Sequence, residues 1–519
     1  MSDFLPPPPP DHHEVDLLVV GGGINGAGIA RDAAGRGLKV LLCERGDLAQ
    51  ATSSSSSKLV HGGLRYLENR EFRLVREALA EREVLLTNAA HIVHPMRFVL
   101  PHDATLRPAW MLRAGLFLYD HLARRSPRLP GARRLDLRAD PMGQPLRDDL
   151  RTGFAYSDCS VDDARLVVLN AMDAQARGAV ILTRHECVAA QARDGAWQAR
   201  LRGPKGQDVS VRARILVNAA GPWVQALQSL ISTQAGAPPG PSRLKLVKGS
   251  HFTVPKLYDG EHAYILQNDD RRIIFVLPYQ GEFSLIGTTD VAFEGDPGQA
   301  KISDEEIAYL CRAVNRYFKQ QIGPADIAWR YAGVRPLYDD HPDDARLSTV
   351  TRDYVFDVAG GQDGQPVLLS IYGGKITTFR QLAQHAMEKL APYTGKPEAW
   401  TASAPLPGSD MPGADPQAYL HALQERYRWL PAPLARRYVY TYGTLTEQVL
   451  AGAQSMEDLG EDFGAGLTEA EVRWLTRHEW ARTAEDILWR RTRLGLLAPA
   501  DAAAKLDAWL ARQSAPRTA

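Results

Sequence analysis

The sequence predicts an α/β protein in three parts: a mostly parallel sheet flanked by helices, an antiparallel sheet inserted into it, and a helical C-terminal region. Three observations predict it. Residues 16–44 read as strand, glycine turn, helix and strand. Residues 245–290 are rich in alternating β-formers (HFTVP, AYILQ, RIIFVLPY, FSLIGTTD), the pattern of antiparallel strands. Beyond a proline- and glycine-rich stretch at 395–416 the apolar spacing is helical.

In the first part, the apolar run Leu17 to Val20 predicts a buried parallel strand. It ends in Gly21, Gly22, Gly23, Ile24, Asn25 and Gly26; a helical run from Ala27 to Gly35 and a second strand at 39–43 follow, closed by Glu44. This is the G-x-G-x-x-G unit of a Rossmann-like dinucleotide-binding domain, with its acid about 20 residues on. Gly21 permits the tight turn, Gly23 lets the backbone approach a pyrophosphate, and Gly26 lets the helix pack close to the strand. The helix N-terminus offers N–H groups to the phosphates. Glu44 accepts ribose hydroxyls, which favours FAD or NAD over NADP.

The bulk numbers narrow the classes. Lys plus Arg (61) equals Asp plus Glu (61), so no global field draws the chain to nucleic acid. The four cysteines, Cys43, Cys159, Cys187 and Cys311, form no C-x-x-C pair, which argues against a metal or iron–sulfur site and for a reducing compartment. No apolar run reaches the length of a membrane span, and the N-terminus does not read as a secretory signal. The expected location is the cytoplasm, or the inner face of the cytoplasmic membrane.

Residues 1–13 read as a disordered Pro-rich tail. Five serines, Ser53 to Ser57, stand just before Lys58, His61, Gly62 and Gly63. Small hydroxyl residues beside glycines let a backbone pass close to a flat ligand while donating hydrogen bonds; a flexible linker is the competing reading. Residues 71–86 read as a surface-facing helix. Residues 107–134 hold seven arginines against one acid, Asp120, with Trp110, Met111, Leu112, Leu116, Phe117 and Tyr119 among them. Two readings stand: a basic amphipathic segment lying on an anionic membrane, or an ordinary helix buried in its own domain. Residues 158–174 read as helix and 179–182 and 215–219 as strands. The last runs into Gly221 at the ligand-bearing edge of the sheet. Residues 301–320 are predicted helical, 328–337 and 367–371 bring the chain back to the nucleotide-binding domain, and Gly373–Gly374 open a further helix. Trp474, Trp480 and Trp489 are expected in a core.

The runs GGGINGAGIARDAAGRGL, ATSSSSSKLVHGGLRYLE, VNAAGPWV, KGSHFTVP, SLIGTTDV, YAGVRPL, TRDY and YGGKITTFRQLA, in this order, resemble the FAD-dependent glycerol-3-phosphate dehydrogenases of the aerobic, membrane-associated, quinone-linked type. The resemblance spans about residues 15 to 495. It implies a Rossmann-like FAD-binding domain with an inserted antiparallel-sheet substrate domain (glycine oxidase/D-amino-acid oxidase-like) and a C-terminal helical domain. The implied boundaries are an oxidoreductase region at 14–395, a linker at 396–414 and the helical domain at 415–519. Within the first, FAD-binding segments fall at about 14–90, 150–235 and 328–390, and substrate-cap segments at about 91–149 and 240–327.

By the same resemblance, cofactor contacts fall on Gly21, Gly22, Gly23, Ile24, Asn25, Gly26, Glu44, Arg45, Thr52, Ser53, Ser54, Ser57, Lys58, His61, Gly62, Gly63, Gly221, Gly373, Gly374, Lys375, Ile376 and Thr377. The implied substrate, sn-glycerol 3-phosphate, is close to a dianion and calls for converging cations: Arg65, Arg335, Arg352 and Lys375. Tyr66 and Thr289 would orient its hydroxyls. Oxidation of the secondary alcohol to dihydroxyacetone phosphate sends a hydride from C2 to flavin N5 and needs a base for the hydroxyl proton. His251 is the first choice for that base, with Arg335 as the alternative; Lys375 either stabilises the reduced flavin or binds phosphate. No second dinucleotide fingerprint follows, so the electrons are expected to leave to a carrier other than bound NAD; the resemblance implies a membrane quinone. A peroxide-forming oxidase and a non-catalytic flavoprotein are the rival functions. Peripheral membrane contact is expected, a homodimer is left open, and no nucleic acid is expected.

Overall fold

The computed structural model describes residues 10–67, 70–103, 108–234, 244–270, 272–338, 353–362, 364–395 and 398–514. The proline-rich start and Arg352 lie outside them, as does the side chain of Arg65, whose backbone stands in the 3-10 turn Leu64–Leu67.

An eight-stranded sheet is ordered Val355–Ala359, Val367–Tyr372, Asp208–Asn218, His12–Val20, Val40–Glu44, Val180–Thr183, with Ala196–Arg202 paired off the third of these and Glu186–Arg193 paired to Ala196–Arg202. The inner strands are parallel. Leu17, Leu18 and Val19 are fully buried, as a central strand covered on both faces requires. The first strand reaches back to His12, paired with Ser210, so His12 and His13, expected in a disordered tail, are ordered. The helix Ile24–Gly35 packs its small residues Ala27, Ala30, Ala33 and Ala34 into the core.

A ten-stranded sheet stands over it, with Leu244–Pro255 paired to Phe283–Gly287 and to Trp329–Tyr338. Two expectations are corrected here. Trp329–Tyr338, expected in the nucleotide-binding sheet, pairs along its whole length with Leu244–Pro255. Residues 158–161, expected helical, end the strand Thr152–Val161 of the same sheet. The helix starts only at Asp163, where the Asp162 carboxylate accepts the Arg165 N–H, a cap that a strand-to-helix junction needs. Phe72–Asn88, expected to face solvent, buries Leu74, Val75, Ala78, Leu79, Leu85 and Leu86 along one side.

The C-terminal helices Pro416–Arg426, Ala432–Tyr442, Glu469–His478 and Ala502–Ser514 close around their own core of Tyr438, Tyr442, Phe463, Leu475 and Trp509. They are fastened to the first sheet by buried ion pairs. Arg165 bonds Glu479, and Asp47 receives both Arg490 and Arg491. Trp474 is buried in that core, Trp480 in the core of the first sheet, and Trp489 stacks on Trp329 at 4.6 Å. The segment between, read as a linker, is packed: Trp400 lies against Gly35 and donates to the Asp32 carbonyl at 3.0 Å, and Leu406 is buried.

Candidate active site

The fingerprint forms the floor. Gly21 has φ +117 and faces Ala219, and a side chain on Gly26 would strike the Gly21 carbonyl. Both positions therefore exclude a Cβ. Glu44 is half-buried, and its two oxygens accept the Gly22 N–H at 2.7 Å and the Gly46 N–H at 2.8 Å. Each oxygen retains a second lone pair for a ribose hydroxyl. Burial raises the Glu44 pKa, and the two amides oppose that shift. Arg45 stacks over Trp223 at 4.0 Å. Asn25 donates to the Gly373 carbonyl at 3.1 Å, joining the first turn to the glycine pair. Gly373 and Gly374 have φ +77 and +103. The helix expected to start there begins instead at Phe379, after the 3-10 turn Ile376–Thr378.

The serines form a wall. Ser53 Oγ accepts the Ile24 N–H at 3.0 Å, so this helix N-terminal donor is already used. Thr52 Oγ1 donates to the Val334 carbonyl at 2.6 Å, and Ser57 Oγ lies 2.9 Å from His251 Nε2. The loop is fixed at three points and is no linker. Lys58 departs from its expected place. Its ammonium lies 3.0 Å from Asp163, outside the lining of the main cavity, because a buried ammonium requires a counter-charge.

A cavity of about 790 Å³ opens between floor and sheet, within the usual range for small-molecule sites. Ile24, Thr52, Ser53, Ser57, His61, Gly63, Tyr66, His251, Arg335, Gly374, Lys375, Ile376 and Thr377 all line it. Gly62 lies behind: its N–H is donated to Tyr119 Oη at 2.8 Å. Gly221 starts the turn after Asp208–Asn218 and is also outside the lining. Thr289 turns away, its hydroxyl donated to buried Glu306 at 2.6 Å. Its neighbour Thr288 lines the cavity, with Oγ1 3.2 Å from Arg335 Nη2, and Asp290 holds Arg335 Nη1 at 2.6 Å. Thr288 and Asp290 are not legible as site residues in the sequence: they stand in the irregular stretch 288–290 between the strands Phe283–Gly287 and Val291–Ala292, where no strand period assigns a face. His251 is buried, stacked on Tyr331 at 4.9 Å, and its Nδ1 has no hydrogen-bond partner among the described residues. Burial, then the charges of Arg335 and Lys58, hold its pKa well below the ordinary histidine value. Lys375 Nζ sits 3.9 Å over the Tyr66 ring with no hydrogen-bond partner among the described residues.

The glycine floor, the pinned ribose acid and a cation-bearing cavity above them fit a bound FAD, and they define a flavin-dependent oxidoreductase. Residues 16–380 match the family model of the FAD dependent oxidoreductases, and residues 399–512 match that of the C-terminal domain of alpha-glycerophosphate oxidase. The chain belongs to the FAD-dependent glycerol-3-phosphate dehydrogenase family. A glycerol-3-phosphate dehydrogenase of Pseudomonas aeruginosa is 55% identical over 93% of this chain and 92% of the relative. A D-erythritol 1-phosphate dehydrogenase of Brucella abortus is 53% identical over 92% and 94%. The crystal structure of the Bacillus halodurans glycerol-3-phosphate dehydrogenase complexed with FAD has a TM-score of 0.71 and 28% identity, covering 93% of this chain and 86% of that one.

Proposed function

We propose that the protein oxidises sn-glycerol 3-phosphate at C2 to dihydroxyacetone phosphate and passes the electrons to a membrane quinone. The observation that carries this reading is the convergence of His251, Arg335, Lys375 and Tyr66, from four separate segments, on one cavity above the fingerprint. FAD, when bound, supplies the hydride acceptor. His251 is uncharged at neutral pH because burial disfavours its cation. Its Nε2 lies against Ser57 Oγ at 2.9 Å, and its Nδ1 is enclosed without a hydrogen-bond partner among the described residues; the neutral imidazole is the group assigned to take the hydroxyl proton. Arg335, held by Asp290 and Thr288, presents its guanidinium to the alcohol oxygen. Lys375, raised on the Tyr66 ring, supplies positive charge to the phosphate or to the electron-rich edge of the cofactor.

The quinone reading rests on the apolar part of the cavity wall, which includes Phe72, Met111, Leu112, Leu118 and Phe275. Met111 and Leu118 are also exposed, on the helix Ala109–His121 that presents Trp110 (71% exposed) and Phe117 (66%) to solvent. No helix among the described residues is long and apolar enough to cross a membrane. An exposed aromatic face with arginines around it is suited to lie on one. On the same helix Leu112, Leu116 and Tyr119 are buried while the opposite face stays bare. Replacing Trp110 and Phe117 together by glutamate is expected to abolish co-sedimentation with anionic vesicles while substrate still bleaches the flavin. Unchanged sedimentation would assign membrane contact elsewhere.

The function is tested by anaerobic titration with sn-glycerol 3-phosphate, watching flavin absorbance. Stoichiometric bleaching, reversed faster by a quinone analogue than by air, is expected. Rapid reversal by air would make the protein a peroxide-forming oxidase. Bleaching by D-erythritol 1-phosphate but not by glycerol 3-phosphate would change the substrate.

A further inference from the structure

Arg493 links the C-terminal helices to the carboxylate beneath the active-site loop. Arg493 stands just past the turn Asp486–Arg491, and its guanidinium bonds Asp162 at 2.8 Å and Asp163 at 2.9 Å. Asp163 is buried beneath the serine loop. One of its oxygens accepts the Ser56 hydroxyl at 2.7 Å, and both lie 3.0 Å from Lys58 Nζ. Lys58 Nζ also donates to the Ser54 carbonyl at 2.9 Å, and the Lys58 N–H to Ser56 Oγ at 2.9 Å. Tyr331, whose ring lies flat on His251, donates its hydroxyl to the Ser56 carbonyl at 2.8 Å. Between the two residues bonded to Asp163 lies Ser57, which touches His251 Nε2.

A second observation points to the same carboxylate. Lys58 and Arg493 both have left-handed backbones, φ +58 and +57. Side-chain-bearing residues adopt that conformation at a cost and hold it where their surroundings fix them. Both of these residues are fixed by Asp163, one from the serine loop and one from the C-terminal helices.

We propose that Arg493 is a positioning residue for proton transfer by His251, acting from the C-terminal helical unit through Asp163 and the serine loop. This rests on the reading of His251 as the base. The path sets where Ser57 Oγ stands, hence the tautomer and ring orientation of His251; it does not include Arg335 or Lys375. A proton acceptor displaced by about 1 Å costs on the order of a hundredfold in rate. The C-terminal unit is thereby part of the chemistry of the site without contributing a group to the cavity.

The test is a double-mutant cycle on flavin reduction by substrate, followed in a stopped-flow instrument. Arg493 meets both carboxylates through one nitrogen, Nη2; Arg493→Lys keeps the charge, so the buried acids are not stranded, but its shorter, non-planar head shifts that contact. Arg493→Lys and Ser57→Ala are each expected to slow reduction about tenfold or more, with the substrate concentration for half-maximal rate unchanged. The double variant is expected to be no slower than the slower single one, as two residues on one path require. Hydrogen exchange in the apoprotein is expected to rise at residues 52–58 in Arg493→Lys, and to stay unchanged over the fingerprint at 17–30. A wild-type reduction rate in Arg493→Lys, additive losses, or flavin lost from that variant would each overturn the proposal while leaving His251 as the base. If Ser57→Ala and His251→Asn both reduce at the wild-type rate, the reading of His251 fails and the positioning path fails with it.

Discussion

Arg335→Met is expected to lower kcat/KM for sn-glycerol 3-phosphate by about 10²–10³-fold, the usual loss when a preorganised donor to a reacting oxygen is removed. The guanidinium is held by Asp290 at 2.6 Å and Thr288 at 3.2 Å, so its orientation is set before substrate arrives. Part of the loss should fall in kcat, because a donor to the alcohol oxygen gains strength as that oxygen gives up its proton. Arg335→Lys should recover little, since one ammonium cannot engage Asp290, Thr288 and the substrate in the same planar arrangement. Flavin content should stay at the wild-type level, because the glycine floor and Glu44 are untouched. Steady-state rates with a soluble electron acceptor measure the effect. A loss below threefold in both variants would remove Arg335 from the reacting end of the cavity.

Asp47→Ala is expected to destabilise the protein by about 3–5 kcal/mol, the range for breaking a buried charge cluster from one side. Asp47 is almost wholly buried, three residues after Glu44. It accepts Arg491 Nη1 and Nη2 at 2.9 and 2.8 Å and Arg490 Nε at 2.7 Å. Removing the carboxylate leaves Arg490 with Glu485 and Asp486, and buried Arg491 with Glu479 alone among the described residues. The thermal unfolding midpoint should fall by roughly 5 °C or more, with flavin released earlier, because the turn that carries Glu44 loses its anchor. Asp501→Ala, which breaks the exposed pair with Lys505, should leave the midpoint where it was, as solvent screens such pairs. Equal midpoints for the two variants would show that the cluster does not hold the C-terminal helices to the first sheet.

Arg335 and Lys58 differ in how far the sequence foretells their place. Arg335 sits in a matched run, YAGVRPL, that marks it for the site. Its strand joins the second sheet and not the nucleotide-binding one, since ten residues of β-formers carry no mark of which strand they will join. Lys58 was expected at the cofactor for the same kind of reason: it adjoins the serines. Its ammonium goes to Asp163, 105 residues away, and burial decides that, not sequence neighbourhood. Thr289 and Thr288 illustrate the finer limit. Both stand just past the strand Phe283–Gly287, and only the tertiary contacts decide that the Thr289 hydroxyl meets Glu306 while Thr288 meets Arg335 in the cavity wall.

What the sequence determined by itself is the floor of the site: the glycine turn, the helix that follows it and the acid that ends the second strand. Their determinants are local. A positive φ at Gly21, close approach at Gly26 and the length of one strand–helix–strand unit are written within 29 residues, Asp16 to Glu44. Only the tertiary structure decided which side chains close over that floor, and that Asp163 and Arg493, 330 residues apart, hold the loop beside His251. Charges removed from water must find partners wherever the fold brings them, and that choice depends on the packing of whole elements rather than on the order of residues along the chain.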